Sequence, residues 1–195
     1  MKYKEINSIY QNYFIGKFYK NRLKKIINMV DVRDKRILDL GFGYGHLFPL
    51  ICNYSNNIYG INIDEYQTKA TYEILKKLKI TNVKLFNENA SKTHFEDNFF
   101  DVIFSNSVHE HIKDVLEVNK EIKRILNNNG SFILSVPSEN FLYSLCRKVF
   151  SLKKPEDHFH NVHQIKQYII KDFRIVKEEN YPLGIPLFKI LVCKK

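Results

Sequence analysis

Three glycines at alternate positions, Gly41, Gly43 and Gly45, close the segment ILDLGFGYGH (residues 37–46), just after an apolar run that carries one acid, Asp39. Glycine at this spacing lets the backbone bend tightly and lets a ligand approach where a Cβ would collide. N–H groups at the start of a following helix then face a polar or anionic group. A GxGxxG phosphate loop needs a third glycine where this chain has His46, and no GK[ST] follows, so the dinucleotide reading is weakened and a P-loop is excluded. The second chemically competent set is imidazole, the side chain suited to moving protons near neutral pH. Of seven histidines, His109 and His111 follow an apolar run, while His158, His160 and His163 cluster in EDHFHNVH. The HxHxxH spacing beside Asp157 is feasible for zinc, but the neighbouring Phe159 and a loop setting offer nothing to orient the ligands, so no metal is expected.

The elements that must position these residues alternate along the chain. Strands are expected over 36–40, 58–62, 83–86, 100–105 and 131–136, with helices over about 45–53, 65–78 behind Asp64 as N-cap, and 115–126. Such alternation specifies a parallel sheet covered on both faces. The last third breaks the rhythm: residues 138–171 give helical segments around the histidine-rich loop. Runs at 173–176 and 187–192, joined through Pro182, Gly184 and Pro186, then read as an antiparallel pair at the sheet edge.

With 195 residues, 44% hydrophobic and 14% aromatic, the chain can pack one core, and no repeat or linker divides it. A single domain over 1–195 is expected, comprising a basic helical segment 1–35, a ligand-binding core 36–137, an insertion 138–171 and a strand pair 172–195. Cys52, Cys146 and Cys193 are odd in number and in no CxxC pair, which fits reduced thiols in the cytoplasm. MKYKEINSIY lacks the apolar stretch of a secretory start, and the longest uncharged run, 46–63, is interrupted by asparagines, so no transmembrane segment is expected. Ten of the 31 Lys and Arg fall in residues 1–36 against three acids. There Ile15, Phe18, Tyr19, Leu23, Ile26, Ile27 and Val30 recur at helical spacing opposite Lys17, Lys20, Asn21, Lys24 and Lys25. The default reading is a helix packed on the domain; the alternative is a basic surface for an anionic substrate, a peripheral membrane contact or nucleic acid.

Four segments in order resemble the class I S-adenosylmethionine-dependent methyltransferases, in particular the methyltransferase type 11 group that includes ubiquinone and menaquinone biosynthesis enzymes. LDLGFGYG is similar to that family's first motif, IYGINI (58–63) to its second-strand motif, DNFFDVIFSNSVHEHI (97–112) to the stretch holding its fourth strand, and EIKRILNNNGSFILSVP (121–137) to the helix, turn and fifth strand that follow. The resemblance implies a Rossmann-like α/β fold, a seven-stranded sheet, mostly parallel with an antiparallel last strand and helices on both faces. It implies S-adenosylmethionine as cofactor, S-adenosylhomocysteine as product and a small-molecule methyl acceptor. Carried over, Gly41, Gly43 and Gly45 line the methionine part with Asp39 at its amino group or ordering the loop, and Phe42 and Tyr44, interleaved in that loop, are candidates to cover the cofactor; Asn62 meets the ribose, with Asp64 as substitute or helix cap. Asn89 and Ala90 lie near the adenine, and Asn106 borders the reacting methyl.

Two positions depart from the family pattern: Asn62 and Asn89 stand where it carries acids. A neutral acceptor contributes about 1 kcal/mol less than a charged one, which also admits a catalytically weak or inactive binding module. Methyl transfer from a sulfonium is an in-line displacement that needs positioning and exclusion of water. An oxygen nucleophile additionally benefits from a base, for which His109, His158, His160 and His163 are the candidates. Phe141, Tyr143 and Phe150 are candidates to wall the acceptor cavity. A nucleic-acid methyltransferase is the remaining alternative, against which SNSVHEH contains no NPPY-like or cysteine-centred signature.

Overall fold

In the computed structural model, residues 13–141, 143, 144 and 158–195 are described. Cys146, Phe150, Asp157 and the first twelve residues lie outside them. The elements follow in the order α1 (Tyr13–Ile27), β1 (Arg36–Leu40), α2 (Phe48–Ile51), β2 (Asn57–Asn62), α3 (Glu65–Lys77), β3 (Val83–Asn87) and β4 (Phe100–Asn106). After a 3₁₀ turn at His109–His111 come α4 (Val115–Ile125), β5 (Leu126–Pro137), α5 (Val162–Ile169), β6 (Arg174–Tyr181) and β7 (Phe188–Lys194). The seven strands form one sheet in the order β3-β2-β1-β4-β5-β7-β6. β1 to β5 pair in parallel, and β7 runs antiparallel between β5 and β6. The expected terminal pair therefore forms, but β7 is interior and β6 takes the edge.

Strand order reverses between β1, which leads outward to β2 and β3, and β4. At such a switch point the loops beyond the carboxyl ends of two neighbouring strands diverge and leave a crevice. Near-continuous apolar runs such as Phe100–Phe104 are what a sheet buried on both faces requires. One face packs Ile37, Val102, Phe104, Ile133, Ile190 and Val192 under Leu23, Ile26 and Ile27 of α1. The opposite face packs Leu38, Ile103, Phe132, Leu134 and Leu191 against Val118, Ile122 and Ile125 of α4 and Ile165 and Ile169 of α5. Thus α1 is a core-packed helix, with Lys17, Lys20 and Lys24 exposed on its far side.

Two boundaries differ from expectation. The helix after the glycine loop shrinks to Phe48–Ile51 because residues 43–47 form turns. β5 begins at Leu126 because the NNNG stretch is held extended: Asn127 donates from its amide to Asp101, while Asn129 N–H bonds back to Asn127 Oδ1 at 2.9 Å. α3 is capped as expected, Asp64 Oδ1 accepting from Gln67 N–H at 3.0 Å.

Candidate functional site

The glycine loop is fixed from both sides. Gly41 N–H donates to Ile61 O at 2.8 Å, and the Thr71 hydroxyl of α3 donates to Gly43 O at 2.9 Å. Gly41 has φ +70°, and a Cβ there would lie 2.6 Å from Cγ2 of Val108, so this glycine lets the loop after β1 touch the loop after β4. Gly43 differs. Its φ is +55°, but a Cβ would meet only Gln67 Oε1, at 3.7 Å. Protein packing leaves the space above Gly43 open.

That hollow is bordered by amides. Asn62, at the end of β2 and 8% exposed, donates from Nδ2 to Gln67 Oε1 at 3.1 Å and to Asp64 O at 3.3 Å. Its donors are thereby committed, leaving Oδ1 as its free hydrogen-bonding function, an acceptor. Asn87 Nδ2 and Glu88 N–H both donate to Asn62 O, drawing the end of β3 beside it. Asp64 is exposed and occupied as the α3 cap. Asn89 is exposed with Oδ1 accepting from Ser91 N–H at 3.0 Å, and Ala90 packs against the core beside it. Asp39 lies near the end of β1, and burial pushes its carboxyl up to about 8. Among the described residues its carboxylate has no hydrogen-bond partner.

Phe42 is placed differently from expectation. Its ring is buried against Phe48 at 5.6 Å between centroids and belongs to the core under α1, so it cannot line the hollow. Residue 42 offers the hollow its backbone only, and Tyr44 on the other side of Gly43 is buried as well.

The histidines separate just as sharply. His109 is 1% exposed, with Nδ1 2.8 Å from Ser105 Oγ, Nε2 3.4 Å from Asn119 Oδ1 and Phe132 against its ring. Burial pushes its pKa down to about 4. A proton acceptor has to reach its substrate, and this ring is enclosed, so the structure makes it part of the core that braces the β4 turn. The 158–163 group does not converge on one point. His160 Nε2 meets Lys113 O at 3.1 Å and its ring packs on Tyr168, whereas His163 is exposed on the first turn of α5 beside the Asn161 cap. Only His158 turns inward, its side chain 5% exposed, with Nδ1 3.0 Å from Glu139 Oε1 and its ring edge-on to His111 at 4.5 Å. Glu110, His111 and His158 also bring one potential ligand atom each within 4.8 Å of one another, a grouping that the HxHxxH spacing did not announce.

At the ends of β4 and β5 the chain bends through left-handed backbone at Ser107 (φ 56°) and Glu139 (φ 51°), conformations that non-glycine residues adopt at a cost of about 1–3 kcal/mol. Asn106, the last residue of β4, has both amide atoms buried without a partner. Of the other expected cavity residues, Phe141 is 84% exposed and Tyr143 packs edge-on to Phe188 at 5.5 Å.

Comparison with known proteins agrees with this architecture. The strand order, antiparallel seventh strand and glycine loop at the switch point define the class I methyltransferase fold. A structure titled as a SAM-dependent methyltransferase from Aquifex aeolicus superposes with a TM-score of 0.77 at 16% identity, covering 99% of this chain and 98% of that one. Residues 38–134 match the family model described as "Methyltransferase domain", Methyltransf_11. The core of the chain thus matches a methyltransferase domain, on the fold shared by class I methyltransferases. The uncharacterized protein MJ0638 of Methanocaldococcus jannaschii is 29% identical over 168 residues, 86% of this chain and 66% of that protein. The uncharacterized methyltransferase YcgJ of Bacillus subtilis is 26% identical over 101 residues, 52% of this chain and 40% of that protein. The chain thus spans less than two thirds of the length of either relative. Among the described residues no helix is long and apolar enough to cross a membrane.

Gln67, Glu139, Asn119 and Arg22 are the residues sequence reasoning missed. Gln67 was signalled by its place three residues after the Asp64 cap. Arg22 was signalled by falling four residues from Phe18 and from Ile26, on the apolar stripe of α1.

Proposed function

We propose that the protein transfers a methyl group from S-adenosylmethionine to a small-molecule acceptor at oxygen. The observation that carries this reading is the open space over Gly43, rimmed by the Asn62 and Gln67 amides, with the buried Asp39 on the strand that leads into the loop. When bound, the cofactor supplies an electrophilic methyl on a sulfonium. The chain's own part is positional. Gly43 gives close backbone approach while Gly41 and Gly45 let the loop pack tightly against Val108, Thr71 and Phe48; Asn62 Oδ1 accepts from a ribose hydroxyl, and Asn89 and Ala90 lie where the adenine would rest. Asp39, buried without a partner, is suited to an ammonium group, which would hold it ionised.

On the acceptor side, Asn106 borders the crossing of the two loops, and His158 is the base. Glu139 holds Nδ1, so Nε2 is left to take the hydroxyl proton as the oxygen attacks; the carboxylate fixes the tautomer and stabilises the imidazolium formed. His160 and His163 are assigned surroundings of this pocket rather than proton transfer. The reading of the acceptor rests on this site alone. A catalytically silent binder is the rival, favoured by the neutral Asn62 and Asn89.

Titration with S-adenosylhomocysteine tests the donor half directly. The melting temperature should rise with ligand, by RT ln(1 + [L]/Kd) in stability, and no rise at millimolar ligand overturns the proposal. Binding with no methyl transfer across hydroxylated acceptors would support the silent binder.

A further inference from the structure

Arg22 is the side chain whose setting nothing above explains. It projects from the basic helix yet is only 3% exposed, with its guanidinium 4.0 Å from the centroid of Phe188 and 5.0 Å from that of Tyr19. Nη1 donates to Ser107 Oγ at 3.0 Å, while Nε is buried with no acceptor. Among the described residues it makes no ion pair. A buried guanidinium ordinarily has a carboxylate, because taking the charge from water is costly unless an anion and hydrogen bonds compensate. Two aromatic faces supply part of that compensation. They leave the charge and one donor unanswered.

The sheet face beneath α1 carries more unanswered polarity. Phe104, Ile133 and Ile190 lie in the cluster under α1. Side chains two residues apart on a strand share a face, so Asn106, Ser135 and Phe188 face α1 as well. Asn106 and Ser135 are direct partners across β4 and β5. Among the described residues Asn106 Nδ2 and Oδ1 and Ser135 Oγ are buried without partners, like Arg22 Nε. Three buried donor groups and one acceptor, Asn106 Oδ1, thus gather on one face, and two residues along from Asn106 the side chain of Val108 is what packs against Gly41 of the donor loop.

We propose that Arg22, with Asn106 and Ser135, is the binding site for a carboxylate carried by the methyl acceptor. The guanidinium Nε–H, the Asn106 amide and the Ser135 hydroxyl are the donors. A guanidinium fork matches the planar carboxylate, and one buried positive charge balances one negative charge, which favours a carboxylate over a phosphate dianion. This inference rests on the methyltransferase reading and names the chemical class of its acceptor.

The test uses the full chain saturated with S-adenosylhomocysteine and titrated with acetate and benzoate, with benzamide and inorganic phosphate as controls. The carboxylates should bind saturably and benzamide should not. Arg22→Met should weaken carboxylate binding at least tenfold, with Arg22→Lys intermediate, while S-adenosylhomocysteine binds each variant within twofold of wild type. If Arg22→Met does not fold, the Arg22 Nε–H resonance of the wild-type protein, assigned through Arg22→Lys, should move downfield as carboxylate is added, and Ser135→Ala should weaken binding severalfold. Equal carboxylate affinity in wild type and Arg22→Met, preference for phosphate, or an Nε–H resonance unmoved by either carboxylate overturns the proposal. Loss of S-adenosylhomocysteine binding in the wild-type protein would instead count against the methyltransferase reading, and carboxylate titration of the ligand-free protein would still decide on Arg22.

Discussion

The two flanks of the β1/β4 switch point are built on opposite terms. On the donor flank Asn62, Gln67, Asp64 and Asn87 satisfy one another, so the rim of the hollow is set before any ligand arrives. On the acceptor flank Arg22, Asn106 and Ser135 are buried with atoms unanswered. The first arrangement costs little and is rigid. The second stores unfavourable desolvation that a complementary ligand would release, so under the proposed reading selectivity belongs to this flank and cofactor capture to the other.

Substitutions can break that contrast. The largest effect is expected at His158, where His158→Ala should lower kcat by about 10²–10⁴-fold and leave S-adenosylhomocysteine binding intact; an unchanged kcat in steady-state assays would remove the histidine from the chemistry. Gly43→Ala comes next. The left-handed backbone costs it about 1–2 kcal/mol of stability, and the methyl group enters the open hollow, so calorimetry should show S-adenosylhomocysteine binding weakened tenfold or more. A Gly43→Ala variant that binds normally would mean the donor lies elsewhere.

Asp39 supplies a pH signature. The fold holds its proton up to about pH 8, whereas the unfolded chain loses it near 3.8, so between those values the folded state binds more protons and stability falls as pH rises. His109 acts at the other end: neutral in the fold down to about 4 but protonated below 6.5 when unfolded, it costs stability as pH drops from 6.5 toward 4. Melting temperatures should decline between pH 6.5 and 8, and Asp39→Asn should flatten that decline, by about 2–4 °C for each kcal/mol in a chain of this size. The same substitution should weaken S-adenosylhomocysteine. The smallest effect is expected for Asn62→Asp, which restores a charged acceptor and should tighten binding by about 1 kcal/mol, roughly fivefold.

The contrast also explains what could be read from the sequence. The donor flank comes from short contiguous stretches, 39–45 and 62–67, whose residue types reflect local geometry, and the strands that frame it have the apolar runs a doubly covered sheet demands. The acceptor flank draws on positions 22, 106, 135, 139, 158 and 188, brought together only by the sheet order. Arg22 therefore read as one more cation in a basic helix, and the inward turn of His158 depends on Glu139, nineteen residues earlier. Phe42 and His109 misled because each sits beside functional backbone while its own side chain obeys the core. The Leu126 start of β5 was hidden because Asn127 finds its acceptor in Asp101, on a neighbouring strand.

α1 is tied to the end of the chain as well as to the sheet: the Tyr181 hydroxyl donates to Phe18 O at 3.1 Å, Lys25 pairs with Glu179, and Arg22 lies over Phe188. α1 and the β6–β7 pair thus close over the same floor like two halves of a clasp. Because β7 lies inside the sheet and gives Leu191 to one core and Ile190 and Val192 to the other, truncation before residue 188 should unfold both sides of the molecule together, which loss of a cooperative melt would show.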